Sequence, residues 1–312
     1  MQVVIIGTFP QEAKERILTH FPVDWTVHIV GADQAKEYLP LAEVVIPEHI
    51  VIDEDFLARA PNLKLIQTGA GYDNVDLAAC TRHGVLVCNA AGINAEAVAE
   101  HTLAMILCWY KNLILLDGFM KHKQAMTALS YQGAELAGKT LGIIGYGHVG
   151  RKLAHLAQAF SLQVLVFSHH PVTDSGIIQA GLSRLYRESD IISVHTALRP
   201  ATRHMFNKQA FSQMKREPLF INTSRGGLVD EEALIEALTQ ETISGACLDV
   251  FETEPLPMQS PLRNCSHVIL TPHTAGLPDG VKYHKRRYDF FVQNMMALEQ
   301  GNQPSCQLNK TK

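Results

Sequence analysis

Three short apolar runs in the last third of the chain each end in residues able to do chemistry. Arg225 follows Leu219–Asn222, Asp249 closes Ile243–Asp249 with Glu254 five residues on, and His273 follows His267–Leu270. In open α/β sheets ligands bind outside the carboxyl ends of the strands, so three such strands would deliver an arginine, a carboxylate pair and a histidine to one edge. This set suits reversible hydride transfer to a 2-oxo acid. Arg225 can hold a carboxylate bidentately and polarise the neighbouring carbonyl. His273 can give a proton to the carbonyl oxygen and take it back in the reverse direction. Glu254 can bond the other ring nitrogen, fixing the tautomer and favouring the imidazolium. Asp249 is placed to accept from a nicotinamide carboxamide.

A hydride donor needs its own seat, and Gly145-Tyr146-Gly147-His148-Val149-Gly150 supplies one between a strand and the helix Arg151–Phe160. The first glycine of such a loop permits the tight turn, the second lets backbone approach a pyrophosphate, and the third lets helix and strand pack closely. The pyrophosphate then rests on free N–H groups at the start of the helix. The next strand, Gln163–Ser168, should end in the residue that meets the adenosine ribose. It ends in Ser168-His169-His170-Pro171, without the carboxylate that an NAD-specific site usually carries. Ser168 can donate to a 2′-phosphate and His169 or His170 can add partial positive charge, so the cofactor is expected to be NAD or NADP.

These residues need two series of strands and helices to position them. The first series has strand candidates at Gln2–Ile6, Trp25–Val30, Glu43–Ile46, Lys64–Gln67 and Val85–Cys88, with amphipathic stretches between, the pattern of a flavodoxin-like unit. Asn94 is expected to cap a long helix running to about Asp117. The second series has strands at Leu141–Gly145, Val164–Ser168, Ile191–His195, Leu219–Asn222, Ile243–Asp249 and His267–Leu270, and a helix from about Lys282 to Leu298 closes it. The tail Gly301–Lys312 reads as loose. The 312 residues are enough for two domains at about 150 residues each. A net charge of −4 argues against a nucleic-acid binder, and no apolar stretch reaches the length of a membrane span. The N-terminus reads as a first strand rather than a signal peptide. The six cysteines show no CxxC pair, which fits reduced thiols of a cytoplasmic protein with no metal site.

With these motifs in place, the sequence resembles the D-isomer-specific 2-hydroxyacid dehydrogenases along nearly its whole length. The resemblance is carried by Leu141-Gly-Ile-Ile-Gly-Tyr-Gly-His-Val-Gly150, Asn222-Thr-Ser-Arg-Gly-Gly-Leu-Val-Asp230, Leu248-Asp-Val-Phe-Glu-Thr-Glu-Pro-Leu-Pro257 and Leu270-Thr-Pro-His-Thr-Ala-Gly276. It implies that Arg225, Glu254 and His273 are the catalytic set. It also implies cofactor contacts from Gly145, Gly147, His148, Val149, Gly150, Ser168, His169, Thr196, Thr223, Ser224 and Asp249. Gly69-Ala-Gly-Tyr-Asp-Asn-Val-Asp76 resembles the family loop whose amides bind the substrate carboxylate, through Ala70 and Gly71. Val98-Ala-Glu-His101 resembles the crossing into the cofactor domain, with His101 facing the cofactor. Ser168 departs from the family's acidic residue, and Leu277-Pro-Asp-Gly280 is unusual after the histidine loop.

The expected architecture is α/β, two doubly wound parallel-sheet domains, with a Rossmann cofactor domain (98–280) inserted into a flavodoxin-like substrate domain made of 1–97 and the returning segment 281–312. The expected activity is NAD(P)-dependent hydride transfer between cofactor and a small 2-oxo or D-2-hydroxy acid such as glyoxylate or hydroxypyruvate. Glu254 argues against the formate dehydrogenase branch, which carries an amide there. The apolar surface of the Asn94–Asp117 helix predicts a homodimer, with no nucleic-acid or membrane partner. The alternative reading on the same fold is a dinucleotide-sensing interaction protein of the corepressor kind.

Overall fold

The computed structural model describes residues 1–48, 50–122, 133–214, 217–277 and 285–311. The chain divides into two compact units, Met1–Asn94 with Leu277–Lys312, and Ala95–Gly276. The first crossing therefore falls at Asn94/Ala95 rather than after residue 97. Residues 278–284, which hold the expected boundary at 280, the Pro278–Gly280 departure and the expected start of the last helix, lie outside the described residues.

The first unit runs β1 (Gln2–Ile6), α1 (Gln11–Leu18), β2 (Thr26–Val30), α2 (Ala32–Tyr38), β3 (Val44–Pro47), α3 (Glu54–Ala58), β4 (Leu65–Gln67), α4 (Leu77–Arg82) and β5 (Leu86–Cys88). Its sheet has the order β2-β1-β3-β4-β5, all parallel, with register pairs such as Val3↔Val27 and Val3↔Val44. A parallel sheet covered on both faces needs near-continuous apolar strands, and Val3, Val4, Ile5 and Ile6 are all buried. Because successive side chains point to opposite faces, Val3 and Ile5 join one core cluster while Val4 and Ile6 join the other.

The second unit opens with α5 (Ala95–Tyr110) and α6 (Leu113–Lys121). The single long helix expected to Asp117 is broken here: Asn112 takes a left-handed φ of 50°, a conformation that asparagine tolerates better than most residues. No single helix among the described residues is long and apolar enough to cross a membrane. There follow β6 (Thr140–Ile144), α7 (His148–Ala159), β7 (Gln163–Phe167), β8 (Ile177–Gln179), α8 (Leu182–Glu188) and β9 (Ile191–Val194). The unit ends with α9 (Lys208–Ser212), β10 (Leu219–Asn222), α10 (Glu231–Thr239), β11 (Gly245–Leu248) and β12 (Val268–Leu270). The sheet order is β12-β11-β10-β9-β6-β7-β8, again parallel throughout, the doubly wound arrangement with its switch point between β6 and β9. The strand β8 was not expected from sequence; it pairs with β7 as an edge.

The last helix, α11 (Lys285–Glu299), completes the first unit by laying Tyr288, Phe291 and Met295 on the face of Val3 and Ile5. The tail is docked rather than loose. Gln307 bridges Cys88 in antiparallel sense, Leu308 N–H donates to the Val87 carbonyl at 2.8 Å, and the Asn309 side chain accepts from Val87 N–H at 2.8 Å. The six cysteines carry free thiols, and burial pushes the Cys80 thiol up to about 11.

Candidate active site

The glycine loop fits a pyrophosphate by what surrounds each glycine. Gly145 has φ of +103°, and a Cβ there would stand 2.4 Å from the His195 carbonyl oxygen, so only glycine makes this turn. A Cβ on Gly150 would meet the Gly145 carbonyl oxygen at 2.2 Å, which sets α7 tightly against the end of β6. Around Gly147, by contrast, a Cβ would meet nothing within 4 Å, leaving the backbone open to a ligand. Gly147 caps α7, so the first-turn amides, those of His148 and Val149 among them, open onto that space. Tyr146 turns inward; its hydroxyl donates to Asp174 at 2.6 Å, and burial together with that carboxylate pushes its phenol up.

The expected acid–base pair is in contact. His273 Nδ1 and Glu254 Oε2 stand 2.6 Å apart, each side chain about one-third exposed. The backbone of His273 is left-handed at φ 53°, held by its N–H donating to the Asp249 carbonyl at 2.8 Å. Glu254 is steadied by Phe251 N–H, which donates to its Oε1 at 3.1 Å. A histidine whose Nδ1 faces a carboxylate presents Nε2 as the proton-transfer nitrogen.

Asp249 is held in place by the loop that carries His273. Its carboxylate is 1% exposed and accepts the Thr271 hydroxyl at 2.6 Å, Thr274 N–H at 2.9 Å and Ala275 N–H at 2.9 Å. These three donors fill most of a carboxylate's acceptor capacity. Asp249 thus ties the loop carrying His273 to the end of β11. His101 joins the same group, with Nε2 3.1 Å from the Thr271 hydroxyl and 3.9 Å from Asp249.

Arg225 leaves β10 in an extended conformation, and its guanidinium donates to the Ser224 carbonyl at 2.8 Å. The turn is locked by Asn222, 1% exposed, which accepts from Ser224 N–H at 3.0 Å and donates to the Arg225 carbonyl at 2.9 Å. A Cβ on Gly226 would overlap the Phe251 carbonyl at 1.9 Å, so this glycine lets the loops after β10 and β11 close on one another. Thr223 is buried with its hydroxyl 3.0 Å from that of Thr102, and the Ser224 hydroxyl donates to the Thr196 carbonyl at 2.6 Å. Next to them, His195 Nε2 meets the Ser193 hydroxyl at 2.8 Å, and burial pushes this imidazole down to about 4. Ser168 and His169 begin the turn after β7 and are half-buried and exposed respectively.

Ala70 and Gly71 lie in the first unit, at the carboxyl end of β4. Their loop is held by the Asn89 side chain donating to the Ala70 carbonyl at 3.0 Å and by Ala90 N–H donating to Gly69 O at 2.9 Å. The Arg287 guanidinium, ion-paired with Glu48, packs beside Gly69. Asn222, Thr271 and Asn89 were not singled out from sequence. An asparagine closing an otherwise apolar strand is the one local signal that could have pointed to Asn222.

Residues 103–275 match the family model described as D-isomer specific 2-hydroxyacid dehydrogenase, NAD binding domain. A glyoxylate reductase of Korarchaeum cryptofilum is 30% identical over 330 residues, covering 99% of this chain and 96% of the relative. The D-lactate dehydrogenase of Aquifex aeolicus, solved with NAD and lactic acid, is 32% identical with a TM-score of 0.83 over 96% of each chain. An acyclic imino acid reductase, Bsp5, solved with NADPH and D-arginine, is 25% identical with a TM-score of 0.86 over 99% of this chain and 100% of that one.

Proposed function

As the chain belongs to the D-isomer-specific 2-hydroxyacid dehydrogenases, oxidoreductases that work with a nicotinamide dinucleotide, we propose that it interconverts a small 2-oxo acid and the corresponding D-2-hydroxy acid, with Arg225, Glu254 and His273 as the catalytic set. The observation that carries this reading is the 2.6 Å contact between His273 Nδ1 and the Glu254 carboxylate, made by the loops after β12 and β11, the two strands that lie in succession beyond β10, which Arg225 follows.

The bound dinucleotide supplies the hydride. Gly145, Gly147 and Gly150 shape its seat, and the amides of His148 and Val149 face its pyrophosphate. Ser168 and His169 lie at its ribose end, with Thr196, Thr223 and Ser224 farther along. Arg225 holds the substrate carboxylate and polarises the adjacent carbonyl. His273 Nε2 gives its proton to the carbonyl oxygen, and the Glu254 carboxylate, bonded at Nδ1, fixes the ring's orientation and tautomer for that transfer. Asp249 and His101 act through Thr271, keeping the histidine loop in place. Glyoxylate and hydroxypyruvate are the first substrates to test. The working unit is a cytoplasmic homodimer, a reading supported by the exposure of Leu113, Ile114, Leu115 and Met120 along α6.

Purified protein offered NADH and NADPH with a panel of 2-oxo acids is expected to oxidise one of the two. His273→Ala is expected to lose about 10²- to 10⁴-fold in kcat while dinucleotide affinity, read by fluorescence titration, stays near wild type. Tight dinucleotide binding with no oxidation of either cofactor across the panel would overturn the enzymatic reading. Full activity in His273→Ala would overturn the acid–base assignment.

A further inference from the structure

The turn after β7 is organised by a side chain eleven residues away. Gln179 lies on β8, exposed, and spends its whole amide on this turn. Its N–H groups donate to the carbonyls of Ser168 at 2.9 Å and His170 at 3.1 Å, and its oxygen accepts from Val172 N–H at 3.1 Å. Within the turn, His170 N–H donates to the Ser168 hydroxyl oxygen at 3.1 Å. A hydroxyl has one proton and two lone pairs, so Ser168 keeps its proton for an outside acceptor.

The local charge points the same way. Segment 168–179 contains a single carboxylate, Asp174. That carboxylate accepts the Tyr146 hydroxyl at 2.6 Å and lies 3.5 Å from the Arg151 guanidinium, so it is engaged beside the glycine loop. Two backbone carbonyls that would repel an anion are taken up by the Gln179 amide. What the turn offers is therefore the Ser168 hydroxyl and two exposed imidazoles, His169 resting edge-on against Phe167 with ring centroids 5.4 Å apart. In doubly wound folds this strand end meets the adenosine ribose.

We propose that Gln179 is a positioning residue for cofactor choice: it holds the Ser168–Val172 turn as a receptor for an anionic substituent on the adenosine ribose, the 2′-phosphate of NADPH. This rests on the nicotinamide-dependent reading above and adds which dinucleotide is taken and what shapes its receptor. An aspartate at the strand end would accept the two ribose hydroxyls and repel a phosphate; here a hydroxyl donor stands in its place, and a glutamine keeps the carbonyls occupied.

The test needs no turnover. Calorimetric titration of the full-length apo protein with 2′,5′-ADP and with 5′-AMP separates the phosphate from the rest of the adenosine half. Wild type is expected to bind 2′,5′-ADP at least tenfold more tightly. In Gln179→Leu, which loses all three bonds, 2′,5′-ADP affinity should fall about five- to tenfold, the range for loss of one or two net hydrogen bonds, with 5′-AMP changed less than twofold. Gln179→Glu keeps the acceptor for Val172, loses the donors and adds charge, so its loss for 2′,5′-ADP should be larger. Steady-state KM should follow, rising for NADPH and not for NADH. Equal weakening of both nucleotides in Gln179→Leu, or no change in either, would overturn the positioning role. A wild type that prefers 5′-AMP would overturn the receptor, and one that binds neither nucleotide would instead remove the nicotinamide reading beneath it.

Discussion

His195 shows how one residue couples the site to pH. Its pKa is lowered by burial to about 4, against about 6.5 for an exposed histidine. The folded state therefore holds it neutral in a range where the unfolded chain is already protonated. Between those two values the unfolded state binds more protons, so stability rises with pH and is lost as pH falls from about 6.5 toward 4, by up to about 3 kcal/mol. Urea unfolding at pH 7 and pH 4.5 should show this loss in wild type and a smaller one in His195→Gln; an equal loss in both would assign the acid sensitivity elsewhere. At this scale the sequence was most readable where the chemistry admits few residue types. Arg225, Glu254 and His273 stood out because hydride transfer to an acid asks for a guanidinium, a carboxylate and an imidazole at strand ends. Asn222, Thr271 and Gln179 did not, because an amide or hydroxyl becomes informative only once its partners are known. Asp249 was noticed for its charge, but its three donors were not, since they come from a loop over twenty residues away.

Among the elements, the loops after β10 and β11 are joined at a place where no side chain fits. Gly226→Ala would drive a Cβ into the Phe251 carbonyl, at 1.9 Å in the present backbone. The two loops must then separate, carrying Arg225 and Glu254 with them. The expected result is a fall in kcat/KM and a stability loss of about 1–3 kcal/mol, the latter larger than that of Gly147→Ala, whose Cβ would meet no protein atom within 4 Å. Thermal melts with kinetics of the two variants check this, and equal behaviour would refute it. Eleven of the twelve strands among the described residues were legible because buried parallel strands read as dense apolar runs. β8 was missed because Ile177-Ile178-Gln179 is short, sits at an edge and leaves two of its residues exposed. The break at Asn112 was hidden by the reverse effect: Leu107–Leu116 is apolar enough to read as continuous helix, and only a left-handed asparagine interrupts it.

For the whole molecule, the exposed apolar side chains of α6 call for a cover. Size-exclusion chromatography with light scattering should give about twice the 34.5 kDa chain mass for wild type. Ile114→Lys with Leu115→Glu should shift that mass toward the monomer; a wild type that runs as a monomer at micromolar concentration would remove the homodimer. The two-unit plan could be read from motif order, but the tail could not. Its polar composition says nothing of Asn309 meeting Val85 and Val87, contacts more than 220 residues distant along the chain. That return path has a consequence for how the protein is made. The second unit is one unbroken segment, while the first needs both ends of the chain. As synthesis proceeds at roughly 5–20 residues per second, the 182 residues of Ala95–Gly276 take about 10–40 seconds to emerge. Through that interval Val3, Ile5, Val44 and Ile46 have no Tyr288, Phe291 or Met295 to lie beneath. The part translated first is therefore the part completed last, and a nascent chain of this protein carries a sheet face that Ala13 and Ile17 of α1 cover only in part, and that a chaperone can shield or a neighbouring chain capture.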